Sequence, residues 1–222
     1  MTTAALHRLD HHPVEVEVTP QLTDRNRLTC AFRPLLAIPH IILVGVPAAL
    51  AVSLAFDQRE HFHSEVGAGG GVMGVVAVTF AVIAWFAIVF GAAFPRQLWH
   101  LAARYMDWRV RVAAYVALLR DEYPPFGEGP YATSLLLEPP PAERNRLTVA
   151  FRLILALPHI AVVWVLGWAW MMTTIVAWFA ILFTGRFPEA LYEFGVGVLR
   201  WSTRVEVYLL LLRDEYPPFS LR

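Results

Sequence analysis

The stretch that decides the fold is Arg144-Asn145-Arg146-Leu147-Thr148-Val149-Ala150-Phe151-Arg152, because a close copy of it comes earlier in the chain. The copy is Arg25-Asn26-Arg27-Leu28-Thr29-Cys30-Ala31-Phe32-Arg33. A second stretch further along the chain recurs too. Leu118-Leu119-Arg120-Asp121-Glu122-Tyr123-Pro124-Pro125-Phe126 matches Leu211-Leu212-Arg213-Asp214-Glu215-Tyr216-Pro217-Pro218-Phe219. Self-similarity of this kind is typical of repeated structural units. The sequence therefore predicts two tandem repeats, residues 13–127 and 128–222, after a disordered segment 1–12.

The composition indicates a membrane protein. Apolar residues make up 57% of the chain and charged residues 16%, whereas soluble domains average about 45–50% and about 25%. The net charge is zero, so there is no electrostatic basis for binding nucleic acid. Cys30 is the single cysteine, which excludes an internal disulfide and a multi-cysteine metal site. The first thirty residues contain no apolar core segment, so we expect no cleavable secretory signal.

Apolar runs predict a transmembrane helical hairpin in the first repeat. Its helices are expected at about 29–56 and 70–94, and each is long enough to cross a hydrocarbon core of ~30 Å. The polar residues 57–65 separate them. The shift between the matching segments indicates that this loop is an insertion of about 26 residues relative to the second repeat.

The second repeat carries no charge from residue 153 to residue 185. A single helix of that length would measure ~50 Å, well beyond the thickness of a bilayer core. We therefore predict two spans, about 147–166 and 168–186, with a tight turn near Gly167. Arginines flank the run on both sides, and a hairpin keeps all of them cytoplasmic. The sequence thus predicts four spans with cytoplasmic N- and C-termini.

The segments that follow the hairpins, about 95–121 and 188–213, carry charged and apolar residues on opposite helix faces. This pattern is typical of a helix in the membrane interface, although packing on the protein's own core produces it as well. Residues 205–212 alternate, so a strand remains an alternative there. Strict alternation in Val14–Val18 predicts a strand, and pairing with its counterpart 134–138 would make a small cytoplasmic β element.

Several of these residues are similar to a bacterial membrane family named domain of unknown function 4389. The matching pattern is an arginine-containing start of the first span, a Pro-His pair within it, the closing run of residues 178–188, and Tyr-Pro-Pro-Phe. The second repeat matches better, since Phe90-Gly91-Ala92-Ala93-Phe94-Pro95 lacks a counterpart of Arg186. The resemblance implies a multi-pass protein of the bacterial plasma membrane, and it implies no activity.

His40 and His159 are the most suggestive candidates for chemistry, because each follows a proline, Pro39 or Pro158, inside a predicted span. Repeats running in the same direction would be related by an axis along the membrane normal. Two imidazoles meeting across it would suit a haem iron or another transition metal. The alternative is that each histidine completes local hydrogen bonding beside its proline. We expect no cofactor.

Arginines near the predicted membrane surfaces are candidates for contacts with anionic lipid headgroups. These are Arg25, Arg27, Arg33, Arg104, Arg111, Arg144, Arg146, Arg152 and Arg204. Their ordinary role as topology signals is the alternative. A structural motif of aromatic and proline residues closes each repeat: Tyr123, Pro124 and Pro125 in the first, and Tyr216, Pro217 and Pro218 in the second. Each tyrosine is expected to pack on its prolines.

We expect a non-enzymatic membrane protein that serves as a scaffold, an accessory subunit or a lipid-interacting module. The chain contains no phosphate-binding loop, dinucleotide fingerprint or catalytic triad order. Its expected partners are membrane lipids, and a homo-oligomer or another membrane-complex partner is possible. The alternatives are a small transporter or channel built on the repeat axis, and a haem- or metal-binding subunit using His40 and His159.

Overall fold

The structure is a computed structural model that describes residues 12–47, 49, 71–91, 96–127, 129–141 and 144–222. The predicted loop 57–65, and all but His12 of the segment predicted to be disordered, lie outside the described residues. The elements in chain order are β1 (Val14–Val18), α1 (Arg27–Leu36), α2 (Ile38–Val44), α3 (Gly71–Val89), α4 (Arg96–Val116), β2 (Thr133–Leu137), α5 (Arg146–Ala150), α6 (Arg152–Thr184) and α7 (Glu189–Leu209). Over these residues the fold is mainly helical, with one two-stranded sheet.

Asparagine starts the first helix of each repeat. The side chain of Asn26 accepts hydrogen bonds from the backbone N–H groups of Leu28 and Thr29, both at 3.1 Å. Asn145 does the same for α5. These bonds satisfy donors that would otherwise have no partner at a helix N-terminus. The repeated Arg-Asn-Arg sequence therefore begins a helix at the same place in both copies.

The second repeat contains one continuous long helix, and the predicted turn near Gly167 is wrong. Helix α6 spans 33 residues and passes through Gly167, which is buried. A single glycine costs a helix interior only about 1 kcal/mol, and no proline or polar cluster near Gly167 stops the helix. The predicted spans 147–166 and 168–186 are therefore parts of one helical segment, α5 and α6, interrupted at Phe151.

The first repeat follows the same path with an interruption. Helices α1 and α2 are bent by 44° relative to each other, and α2 ends at Gly45. Helix α3 begins beside that end, since a Cβ atom on Gly71 would lie 2.6 Å from the Gly45 nitrogen. Because Asn26 matches Asn145 and Trp85 matches Trp178, Gly45 and Gly71 both align with Trp164 in α6. The expected insertion therefore leaves and rejoins the path of the long helix at one point.

The long helices are α1, α2 and α3 in the first repeat and α5 and α6 in the second. Helices α4 and α7 each run back along the long helices of their own repeat. Arg109 of α4 donates a hydrogen bond to the carbonyl of Val44 at the end of α2, and Ala102 shares an apolar cluster with Ala77 of α3. In the second repeat a Cβ atom on Gly195 of α7 would lie 2.9 Å from Trp170 Nε1 of α6. The segments predicted as interfacial helices therefore pack on the protein itself. The described residues 205–209 are helical, not a strand.

The two strands form an antiparallel ribbon centred on the pair Val16 and Leu135. Asp107 accepts a hydrogen bond from the Leu135 N–H at 3.0 Å, and Arg200 donates one to the Val16 carbonyl at 3.1 Å. At about 100° per residue, Asp107 lies on the opposite face of α4 from Ala102. Arg200 likewise lies on the opposite face of α7 from Gly195. The described residues thus form three layers: the long helices, then α4 with α7, then the ribbon.

The long helices of the two repeats run in opposite directions. The Arg25 N–H, just before α1, donates to the carbonyl of Gly185 just after α6, at 3.1 Å. Reciprocally, a Cβ atom on Gly91, just after α3, would lie 3.1 Å from the Arg146 guanidinium at the start of α5. Each long segment therefore begins where the other ends. The reciprocal contacts require a two-fold axis perpendicular to the long helices.

Helices α3 and α6 are long and apolar enough to cross a membrane, and α1 with α2 would make a third span if the bent pair is one. The four predicted spans are thus reduced to two or three among the described residues.

Candidate functional site

Each repeat holds one aspartate between two arginines. In the first repeat, Arg25 and Arg33 donate to Asp121 Oδ1 at 2.6 and 2.7 Å. Arg33 also lies over the ring of Tyr115, 4.5 Å from its centroid, and donates to the Arg120 carbonyl at 2.7 Å. Burial of a guanidinium is tolerated when it is paired and hydrogen-bonded in this way.

The second repeat reproduces this triad. Arg144 Nε donates to Asp214 Oδ2 at 2.7 Å, and Arg152 donates to Asp214 Oδ1. Arg152 lies 4.4 Å from the centroid of the Tyr208 ring. In both repeats, therefore, the arginine-rich start is bound to the aspartate near the end of the same repeat.

The triads keep both aspartates ionised. Burial of the Asp121 carboxyl opposes ionisation, but the hydrogen bonds and charge of Arg25, together with Arg33, lower its pKa below the usual value. The pKa of Asp214 is lowered in the same way by Arg144 and Arg152. Two arginines share one carboxylate in each triad, so each triad carries one net positive charge.

The structure divides the nine candidate lipid-contacting arginines into two groups. Arg25, Arg33 and Arg152 are buried in the triads, and Arg144 is partly buried there. The remaining buried ones have other partners: Arg111 binds Asp107 at 2.6 Å, and Arg204 donates to the Arg222 carbonyl at 2.7 Å. The exposed group is Arg27, Arg104 and Arg146.

His40 is enclosed by aromatic side chains of its own repeat. Its ring is fully buried and stacks on Phe126, with centroids 4.3 Å apart and planes at 21°. Tyr123 lies 4.8 Å from it and Trp108 5.9 Å. The Tyr-Pro-Pro-Phe motif that ends the repeat therefore packs on the histidine of the first helical segment.

His159 has the same surroundings in the second repeat. It stacks on Phe219 at 4.1 Å and 16°, with Tyr216 at 4.6 Å and Trp201 at 6.1 Å. Trp201 Nε1 donates to His159 Nδ1 at 3.3 Å. The two histidines thus lie in separate aromatic cages. Within the described ranges, no three His, Cys, Asp or Glu side chains come together as a possible metal site.

Tryptophans connect the repeats. Trp85 Nε1 in α3 donates to the Val149 carbonyl in α5 at 3.0 Å, and Trp178 Nε1 in α6 donates to the Cys30 carbonyl in α1, also at 3.0 Å. Each indole thus satisfies a backbone group in the first helix of the other repeat. Cys30 itself is fully buried, so the only thiol of the chain is a packing residue.

An apolar cleft of about 540 Å³ lies between the first helices of repeat one and α6. One wall is formed by Arg33 and Pro34 of α1, Ala37 between the helices and Ile41 of α2, together with Val116 and Leu118. Its other wall is Thr174, Ile175, Trp178 and Phe179 of α6. The cleft has the volume of a typical small-molecule site.

Reasoning from the sequence missed both the cleft and the roles of the aspartates. The cleft requires the antiparallel approach of α1 and α6, which no local pattern reports. The sequence did contain a signal for the ion pairs of the aspartates, because Asp121 and Asp214 recur at matching positions together with their two arginines. Recurrence of opposite charges at matching positions would have indicated the ion pairs.

Comparison with known proteins gives one match. A family model matches residues 70–127 and 146–220, in two segments that correspond to the two repeats. No curated protein and no solved structure shows significant similarity to the chain. Because the matched segments cover more than half of it, the chain belongs to the family described as Domain of unknown function (DUF4389).

Proposed function

We propose that the protein is a non-enzymatic, lipid-interacting module of the bacterial plasma membrane. Its long helices lie within the cytoplasmic leaflet, and both termini are in the cytoplasm. The two surfaces of the layered fold would then meet different solvents. The long helices are embedded in lipid, and the layer of α4, α7 and the ribbon faces water.

The observation that carries this proposal is the distribution of exposed apolar side chains. On the long helices, large apolar residues are exposed from one end to the other: Leu28, Phe32, Leu35, Ile42, Val75, Val82, Phe86, Leu147, Ile154, Val165, Ile175, Phe179 and Phe183. An apolar surface this extensive marks contact with a membrane or another protein. The same helices contain no acidic residue.

The opposite side of the fold carries exposed charges. Glu17 of the ribbon, Arg104 of α4 and Glu193 of α7 are exposed. The ribbon lies over the middle of α4 and α7, which run along the long helices. If the long helices crossed the bilayer, the ribbon would lie at mid-depth, where each charge costs at least ~2.5 kcal/mol. An orientation in the membrane plane avoids this cost.

The surroundings of the polar groups that recur in both repeats support a structural role for them. Asp121 and Asp214 are engaged by arginines, and His40 and His159 are enclosed by aromatic rings. A general base must reach a substrate, whereas these side chains are occupied by contacts within the protein.

Labelling from the two sides of the membrane tests the orientation. Arg27 and Arg146 are exposed and lie at opposite ends of the long helices. In a Cys30→Ala background, Arg27→Cys and Arg146→Cys should both react with a membrane-impermeant maleimide in inverted vesicles and not in spheroplasts. Reaction of one residue from each side would establish the multi-pass arrangement instead. Release of the protein from membranes by alkaline carbonate would contradict membrane embedding altogether.

A further inference from the structure

The cleft between α1, α2 and α6 has a positively charged end. Arg27 lies at the start of α1, and a Cβ atom added to Gly185 would lie 3.4 Å from the Arg27 Nε. Arg186 follows Gly185 in the chain. Both arginines are exposed. Pro34, which lines the cleft, is two helical turns further along α1, about 10 Å from Arg27 at 1.5 Å per residue. The cations therefore lie within the length of one lipid molecule of the cleft.

The charge at this end is not neutralised by nearby acids. Asp24 and Glu189 are the acidic residues closest in sequence to Arg27 and Arg186, and no ion pair joins them within the described part of the chain. The triad of Arg25, Arg33 and Asp121 adds one net positive charge next to the cleft. The local field thus favours an anion beside an apolar cavity.

We propose that this cleft binds an anionic phospholipid of the surrounding bilayer. The phosphate would lie on Arg27 and Arg186, and one acyl chain would fill the space between Pro34, Ile41 and Ile175. The proposal rests on the membrane location proposed above and specifies the lipid class and the site. An arginine guanidinium matches a phosphate in charge and hydrogen-bond geometry, and the exposed apolar walls match an acyl chain.

The equivalent position at the other end of the long helices lacks the same combination. Arg146 corresponds to Arg27, but residue 93 is alanine where the other copy has Arg186. Leu153 replaces Pro34 at the cleft wall. The end of the long helices that joins Arg27 of the first repeat to Arg186 of the second therefore carries paired cations, and the opposite end does not, so the chain supplies its own control positions.

Native mass spectrometry of the purified full chain, titrated in detergent with phosphatidylglycerol or phosphatidylcholine, tests the site. We expect wild type to retain one phosphatidylglycerol in preference to phosphatidylcholine. Arg27→Gln with Arg186→Gln should weaken phosphatidylglycerol retention about 30-fold, since each basic residue near an anionic leaflet is worth about fivefold. Arg146→Gln, the matched control, should leave retention within about twofold of wild type.

The apolar part of the site is tested separately. Ile175→Trp fills the cleft and should reduce retention of both lipids, whereas Val82→Trp at the matching position of α3 should not. Ile175 and Val82 are similarly exposed, at 46% and 50%, so both variants should fold. Unchanged helicity by circular dichroism confirms this for each variant.

Three outcomes would overturn the proposal. One is a loss of phosphatidylglycerol retention with Arg146→Gln equal to that of the Arg27→Gln, Arg186→Gln variant, which would mean a general charge effect. Another is no loss with Ile175→Trp. The third is retention of free palmitate, unaffected by the arginine variants, in place of phospholipid. In each case the labelling result stands unchanged, so failure of this site is distinguishable from failure of the membrane location.

Discussion

The backbones of Gly45 and Gly71 meet, although 25 residues separate them in the chain. A Cβ atom on Gly71 would lie 2.6 Å from the Gly45 nitrogen and 2.7 Å from the Ile42 carbonyl oxygen. Only glycine fits such an approach, and the φ of +65° at Gly71 is also the left-handed conformation that glycine adopts most readily. The first repeat is therefore the second with a segment inserted where α6 is continuous.

Deleting residues 46–71 should leave a folded protein. The deletion joins Gly45 to Val72 and aligns them with Trp164 and Val165 of α6. We expect helicity by circular dichroism to be retained and the unfolding temperature to stay within a few degrees of wild type.

The control is a deletion of residues 46–69, which leaves two extra residues. They would rotate α3 by about 200° at 100° per residue and turn Ala77 and Ala81 away from α4. This variant should unfold at a much lower temperature. Equal stability of the two deletions would show that α3 does not continue the path of α2.

Asp121→Asn should destabilise the protein by about 3 kcal/mol, because it leaves two buried arginines without a carboxylate. Denaturant unfolding in detergent, followed by tryptophan fluorescence, measures the change. The matched control is Glu122→Gln, whose carboxylate is 56% exposed in its pair with Arg120 and should contribute little. A loss with Glu122→Gln as large as that with Asp121→Asn would contradict a buried triad.

The triads also predict an acid transition. The pKa of Asp121 and that of Asp214 are lowered in the folded protein. Their stabilisation is therefore complete above the unfolded pKa of about 3.9 and is lost as the pH falls through the folded pKa. The unfolding free energy of wild type should drop below about pH 4. This decrease of the unfolding free energy should be shallower in Asp121→Asn. The same decrease in both proteins would exclude Asp121 as its source.

His40→Phe with His159→Phe should preserve the fold if the aromatic cages are packing sites. Phenylalanine keeps the stacking on Phe126 and Phe219, so the change from repacking should stay below about 1.5 kcal/mol. His159→Phe also removes the acceptor of the Trp201 indole N–H and should cost about 1–3 kcal/mol more. The wild-type absorption spectrum should show no Soret band. Such a band, or stoichiometric metal, that disappears in the double variant would identify a cofactor site instead.

Trp85→Phe and Trp178→Phe should each cost about 1 kcal/mol, the value of one hydrogen bond to a backbone carbonyl. The two bonds lie at opposite ends of the long helices, so their effects should add in the double variant. Thermal unfolding of the four proteins measures this. No change in either single variant would mean that the indole N–H groups do not hold the repeats together.

The repeat and the helical character could be read from the residues alone. Asn26 and Asn145 start helices because their side chains satisfy local backbone donors. The ribbon followed from the alternation of Val14–Val18, since pairing it with its own counterpart buries one face. Membrane-spanning potential followed from apolar content, which residue types set without reference to the fold.

The path of the chain could not be read in the same way. Whether α6 turns at Gly167 depends on packing against α7, because the local cost of one glycine is small in either case. Where Arg33 and His40 lie depends on Asp121 and Phe126, which are more than 80 residues away along the chain. Composition and periodicity are local properties, and they determined the helical character, the first strand and the repetition of the chain. Ion pairs, aromatic cages and the antiparallel approach of the long helices arise between distant segments, so only the tertiary structure decided them.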